Sequence, residues 1–222
     1  KPMEAVIPEL KGKIMHDPHG MLRMQGGKMS SRKGNVITGE ELIGKVKEMV
    51  EEKIKDMGFD KEESEKVAET VAIGAIKYSI LRQAIGGDII FDTEKSISFE
   101  GDSGPYLQYS CVRAKSVLKK AEEIEVQPQV GREVEPQETT TLERLLYRFP
   151  EVVERAGTEY QPHYITTYLT ELAGVFNGWY ASGKIVDAKD EASPYKVALT
   201  KSFAIVMQNG LSLLGIQVPE KM

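Results

Sequence analysis

Residues 26–34 read Gly-Gly-Lys-Met-Ser-Ser-Arg-Lys-Gly, which places three cations (Lys28, Arg32, Lys33) and two hydroxyls (Ser30, Ser31) among glycines with no acid between them. The chemistry of such a set is anion binding. Glycine permits unusual backbone angles and close approach of backbone N–H groups to an oxyanion. Lysine and arginine then donate charge-assisted hydrogen bonds to phosphate oxygens. The surroundings reinforce the bias. From Lys11 to Ile37 six cations (Lys11, Lys13, Arg23, Lys28, Arg32, Lys33) face Asp17 alone, a local charge of +5 in a chain of net charge −5. A Walker loop does not fit, because Gly-x-x-x-x-Gly-Lys-Ser/Thr cannot be laid over these positions. A solvated surface loop has the same composition, so composition alone leaves both readings open.

Two aromatic constellations form a second candidate. Tyr106, Tyr109 and Arg113 stand at i, i+3 and i+7 and share one helix face. Phe176, Trp179 and Tyr180 stand at i, i+3 and i+4. Rings beside a guanidinium offer unpaired bases a stacking platform worth ~1–3 kcal/mol per base. The same rings could instead pack a core with their hydroxyls reaching water. Arg113, Lys115, Lys119 and Lys120 add charges suited to phosphate.

The elements that must carry these groups are mostly helical. Residues 1–37 mix short apolar runs with glycine, proline and the basic stretch, and read as strand and loop. Thr38 and Glu41 form a capping box for a helix with apolar residues Leu42, Ile43, Val46, Met49, Val50 and Ile54, ended by Gly58. Asp60 and Glu63 open a second helix with Val67, Val71, Ala75 and Tyr78 on one stripe, running toward Gly86-Gly87. Residues 88–98 read as a short alternating or irregular link. A third helix begins at Ser103-Gly104-Pro105, with Leu107, Cys111, Ala114, Val117, Leu118 and Ala121 facing a core. Residues 124–141 are polar and rich in Glu, Gln, Pro and Thr, a mobile surface excursion. Helices are then predicted over 142–156, 161–181 and 192–214, with Pro150, Pro162 and Pro194 near starts or interruptions. The fold class is therefore mainly α, a helical bundle behind a small α/β segment.

Bulk numbers narrow the classes further. A chain of 222 residues, 41% hydrophobic and 28% charged, is an ordinary globular composition for one large or two modest domains. No apolar run approaches bilayer length, and no membrane partner is expected. The single cysteine, Cys111, excludes an internal disulfide and suits a reducing cytoplasm; its expected place is a helix core. His16, His19 and His163 are too scattered for a metal site or a triad, so no metal ligands are assigned. A pI near 5.4 argues against broad nucleic-acid affinity and for local patches, and no DNA partner is expected.

Three ordered motifs carry a family resemblance. Lys28-Met29-Ser30-Ser31 followed by Arg32-Lys33-Gly34-Asn35-Val36-Ile37 resembles the second signature of class I aminoacyl-tRNA synthetases, the Lys-Met-Ser-Lys-Ser loop, in the variant seen in arginyl-tRNA synthetases. Ser31 takes the place of the second family lysine, whose charge would fall to Arg32 or Lys33. Gly104-Pro105-Tyr106-Leu107-Gln108-Tyr109 with Arg113 is similar to an element of the arginyl enzymes' anticodon-binding domain. The ending, Gln208 to Met222, is similar to that family's C-terminus. The resemblance implies a catalytic-domain remnant over 1–37 and an all-helical anticodon-binding domain over 38–222. It implies ATP as substrate, with Mg2+ in the full enzyme, gripped by Lys28, Met29, Ser30, Ser31, Arg32 and Lys33, of which Lys28, Arg32 and Lys33 serve catalysis. It implies tRNA(Arg) and arginine as partners, with Tyr106, Tyr109, Arg113, Phe176, Tyr180 and Met222 on the tRNA. The other class I signature, of His-x-Gly-His type, is absent from these residues, and the first residue is not methionine. A piece of a longer protein, inactive alone, is the expectation. Apolar residues near Val6 and Ile7 would face the rest of it. Two alternatives stand beside this: a stand-alone tRNA-binding module, and a class I enzyme of lysyl or cysteinyl type.

Overall fold

The computed structural model describes residues 2–16, 18, 20–24, 37–131 and 139–222. The basic stretch from Lys28 to Lys33 lies outside these residues, as does His19.

The first described segment is more helical than its sequence suggests. A five-residue helix α1 (Pro2–Val6) and a 3-10 turn (Pro8–Leu10) precede a single strand, β1 (Leu22–Met24). Proline leads each turn, where its fixed φ suits a first helical position. Val6 (80% exposed) and Ile7 (41% exposed) lie on the surface, as do Met3, Met15 and Met21.

Helix α2 (Gly39–Ile54) starts at the expected capping box. The Glu41 N–H donates to Thr38 Oγ1 at 3.2 Å, and the Thr38 N–H donates to Glu41 Oε2 at 2.8 Å. Its buried stripe is Leu42, Val46, Val50 and Ile54, while Ile43 stays out. Gly58, at φ +77°, turns the chain toward α3 (Lys61–Leu81). Asp60 caps that helix by accepting from the Glu63 N–H at 2.9 Å.

Residues 88–98 form β2 (Ile89–Phe91) and one turn of helix, α4 (Thr93–Ser96). β2 pairs in parallel with β1, Leu22 opposite Ile89 and Met24 opposite Phe91. Arg23 holds the neighbouring Asp88 at 2.6 Å. Phe91, Ile97, Val46, Val71 and Ala75 share one core cluster with the α2 stripe, so the two strands are bound to α2 and α3.

Helix α5 (Gly104–Glu123) begins where predicted, with Ser103 as N-cap accepting from the Tyr106 N–H at 3.1 Å. It crosses α3 at backbone contact: a Cβ at Gly104 would meet the Gly74 carbonyl oxygen at 2.5 Å. Only glycine fits there. The remaining helices are α6 (Thr141–Glu159), α7 (His163–Ala181) and α8 (Ser193–Leu213). They form the second core cluster with α5, centred on Leu107, Cys111, Leu169, Leu172, Phe176, Phe203, Met207 and Leu211.

Pro150 departs from expectation. It lies inside α6 rather than at a boundary. The helix survives the lost N–H because Leu142, Leu145 and Ala156 on either side are buried in the same core, and packing outweighs local propensity. At the far end Tyr160 adopts the left-handed region (φ 56°), and its N–H caps the Ala156 carbonyl.

The last residues run back across the bundle as a strap. Gln108 Nε2 donates to the carbonyls of Gln217 (2.7 Å) and Thr70 (3.2 Å), tying the strap to α3 and α5. Lys77 Nζ donates to the Gly215 carbonyl, and Lys221 reaches Glu63 at 3.0 Å. Met222, half-buried, packs against the α2–α3 cluster.

Candidate nucleic-acid interface

The α5–α7 seam assembles the predicted aromatic and cationic residues into one polar network. Tyr109 and Arg113 are one turn apart on α5, and Asn177 and Tyr180 face them from α7. The Arg113 guanidinium lies 4.7 Å from the Tyr109 ring centroid and 5.0 Å from that of Tyr180. Each such cation–π contact is worth ~0.5–1 kcal/mol at an exposed site. Two hydrogen bonds fix the guanidinium further. Arg113 Nη1 donates to Asn177 Oδ1 at 2.6 Å, and Nη2 donates to the Tyr109 hydroxyl at 3.2 Å.

Asn177 extends the network to Tyr106. Its Nδ2 donates to the Tyr106 hydroxyl at 3.0 Å and to Ser110 Oγ at 2.8 Å. Ser110 Oγ in turn donates to the Tyr106 carbonyl at 2.8 Å. Both tyrosine hydroxyls accept bonds here, which leaves their protons to donate to a ligand. On the other flank Phe99 tilts against Tyr109, centroids 6.4 Å apart, and Lys53 Nζ lies 5.8 Å from the Phe99 centroid.

The site's charge is positive. Arg113 has no carboxylate within ion-pair distance among the described residues, and neither do the exposed Lys119 and Lys120, about two turns further along α5. Lys115 differs: it pairs with Glu220 of the strap at 3.4 Å.

The predicted residues are thus placed unequally. Tyr106, Tyr109 and Arg113 are half-buried at the seam, and Tyr180 is 38% exposed beside them. Phe176 differs from its expected place at an RNA surface. It is fully buried and stacks on Phe203 of α8 with centroids 3.7 Å apart and planes 8° from parallel. Its apolar ring belongs in the core, and from there it backs Tyr180 at 6.4 Å. Met222 lies on the α2–α3 cluster against which Phe99 also packs. Lys28, Met29, Ser30, Ser31, Arg32 and Lys33 lie outside the described residues. Spacing and residue type alone do not single out Asn177, Ser110 or Phe99. Asn177 did carry a signal: an asparagine inside the otherwise apolar run from Leu172 to Tyr180 disfavours helix unless its amide is used.

Cys111, on the inner face of α5, is fully buried, and burial pushes its thiol up to about 11. No group of acidic, histidine and cysteine side chains that could hold a metal occurs among the described residues. Nor, among them, is any helix long and apolar enough to cross a membrane.

Known proteins resemble the chain over its whole length. Residues 107–222 match the family described as DALR anticodon binding domain. Residues 2–93 match the class I tRNA synthetase catalytic domain of the arginine (R) type. These two matches define a class I aminoacyl-tRNA synthetase architecture. An arginine--tRNA ligase of Pediococcus pentosaceus is 34% identical over the whole chain, which covers 40% of that relative. One of Halothermothrix orenii is 36% identical over 94% of the chain, covering 37% of that relative. The arginyl-tRNA synthetase of Thermus thermophilus superposes with a TM-score of 0.77 over 92% of the chain and 35% of that structure, at 29% identity. The chain belongs to the arginyl-tRNA synthetase family, and it spans about two fifths of the curated relatives it matches.

Proposed function

We propose that this chain supplies the anticodon-binding helices and the pyrophosphate-gripping loop of an enzyme that ligates arginine to tRNA(Arg). In that reaction the arginine carboxylate attacks the α-phosphorus of ATP, giving arginyl-adenylate and pyrophosphate. A hydroxyl of the tRNA's terminal adenosine then takes the arginyl group and releases AMP. The observation that carries the RNA-binding half is the Tyr109–Arg113–Tyr180 stack on a positive seam, in residues matching an anticodon-binding family.

The platform supports recognition of unpaired nucleotides. Tyr180 offers an exposed ring for a base, the Tyr106 and Tyr109 hydroxyls offer protons, and Arg113 with Lys119 and Lys120 offers charge to phosphates. Phe176 acts from beneath by fixing Tyr180. Met222 and the strap border the site through the shared cluster with Phe99.

The catalytic half rests on the loop motif and the class I match over 2–93. Lys28, Arg32 and Lys33 clamp the β- and γ-phosphates as pyrophosphate leaves, helped by Ser30, Ser31 and Met29. Magnesium accompanies the nucleotide. Donors of this kind accelerate the step only where they bind the transition state more strongly than bound ATP. Functionally the loop precedes residue 37, and the RNA-binding helices are α5 to α8, which follow the catalytic-domain match over 2–93. Without a His-x-Gly-His element among its residues, the chain by itself binds RNA and leaves charging to the whole enzyme, in the cytoplasm.

Nucleotide-resolution footprinting of tRNA(Arg) with this chain tests the reading. Protection centred on the anticodon loop supports it. Protection of the acceptor stem alone, or none, contradicts it.

A further inference from the structure

Arg113 is held by a neutral amide where a carboxylate would be the stronger partner. Asn177 Oδ1 accepts the guanidinium at 2.6 Å while Nδ2 serves Tyr106 at 3.0 Å and Ser110 at 2.8 Å. The amide orientation follows from its partners, since a guanidinium only donates and must face the oxygen. The network uses one acceptor and two donors on a short stem, which is the inventory of asparagine. An aspartate there could accept from Arg113 but could not donate to Tyr106 or Ser110. It would also cancel the charge. With asparagine, two of the five guanidinium N–H donors are used and three stay available, and no carboxylate among the described residues competes for them.

We propose that Asn177 is a positioning residue for RNA recognition: it fixes Arg113 between Tyr109 and Tyr180 and leaves its full positive charge for the phosphate of an unpaired nucleotide. The inference rests on the RNA-binding reading above and adds to it the residue that sets the cation's place and the group the cation meets. Both parts matter. A guanidinium held between rings has already lost its rotamer freedom, so little is lost again on binding. A guanidinium left unneutralised keeps the counterion-release contribution of one phosphate contact.

The test pairs two substitutions with two readouts. Side-chain 15N NMR of the Arg113 guanidinium, assigned by its loss in Arg113→Lys, reports its restraint without RNA. Salt-dependent binding of tRNA(Arg) reports the charge. Asn177→Ala should let the separate Nη signals merge and weaken binding about tenfold, the equivalent of one charge-assisted bond. In an Arg113→Ala background it should change binding no further. Asn177→Asp should keep the guanidinium restrained yet weaken binding and lower the salt slope by about one contact. An Asn177→Asp protein that binds as tightly as wild type with an unchanged slope would overturn the proposal. So would restraint that persists in Asn177→Ala, or an Asn177→Ala effect that survives in the Arg113→Ala background. A wild-type chain with no preference for the anticodon loop would instead sink the RNA-binding reading, and the NMR signals would still decide whether Asn177 restrains Arg113.

Discussion

Asn177 on α7 and Arg113 on α5 meet at 2.6 Å, and this bond joins two helices that present different halves of one platform. Tyr106, Tyr109 and Arg113 come from the first helix and Tyr180 from the second. Neither helix alone makes the stack, because the guanidinium needs a ring from each.

Arg113→Lys should therefore weaken tRNA binding by about tenfold while leaving the salt slope unchanged. Lysine keeps the charge but has no planar fork to reach Asn177 and Tyr109 together. Filter binding or anisotropy across a salt series checks both quantities. A slope that falls with the affinity would show that the charge itself, not its placement, was lost.

Cys111 should be inert in the native state. Its thiol is buried and pushed up to about 11, so at pH 8 almost no thiolate is present and no reagent reaches it. Labelling with an aromatic disulfide should follow global unfolding in urea. Rapid labelling under native conditions would contradict the packing of α5 against α8.

Glu143 gives the fold an acid-sensitive joint. Burial opposes its ionisation, but bonds from Thr140 and Tyr195 outweigh that and hold the carboxyl below the usual carboxylate range. A depressed folded value stabilises the protein above the ordinary glutamate pKa, and the benefit disappears as pH falls through the folded one. Wild type should exceed Glu143→Gln in stability at pH 7, and the two should converge below about pH 4. Urea midpoints at the two pH values measure this, and a gap that widens in acid would reverse the sign.

Pro150 should be a net cost to α6. The residue is exposed and its ring occupies a helix interior, where proline is about 3 kcal/mol worse than alanine. Pro150→Ala should raise stability by roughly 1–3 kcal/mol, read as a higher midpoint at unchanged denaturant slope. A lower midpoint would mean that the proline's conformation is required by the packing around Leu145 and Ala156.

Much of this architecture was legible in local chemistry. Thr38 with Glu41, Asp60 with Glu63, and Ser103 before Gly104-Pro105 each mark a helix start by hydrogen bonds that close within four residues, so sequence alone carries the information. The helical spacing of Tyr106, Tyr109 and Arg113 likewise put three platform residues on one face. What the sequence could not carry was decided across helices. Phe176 and Tyr180 are one turn apart and both aromatic, yet contact with Phe203 takes the first into the core and leaves the second at the surface. Asn177 acquires its role only when α5 docks. Pro150 violates a local rule that tertiary packing overrides. The short helix at Pro2–Val6 reads as strand or loop in the sequence because its five residues are too few to show a period.

The most direct test of the central claim compares the affinity of this chain for tRNA(Arg) with that for the same tRNA carrying an altered anticodon, in wild type and Tyr180→Ala, at several salt concentrations. Stacking of a base on Tyr180 is worth ~1–3 kcal/mol. The account predicts a preference for the arginine anticodon that persists as salt rises and shrinks about tenfold or more in Tyr180→Ala. Equal affinity for the two tRNAs, falling together with salt, would contradict it.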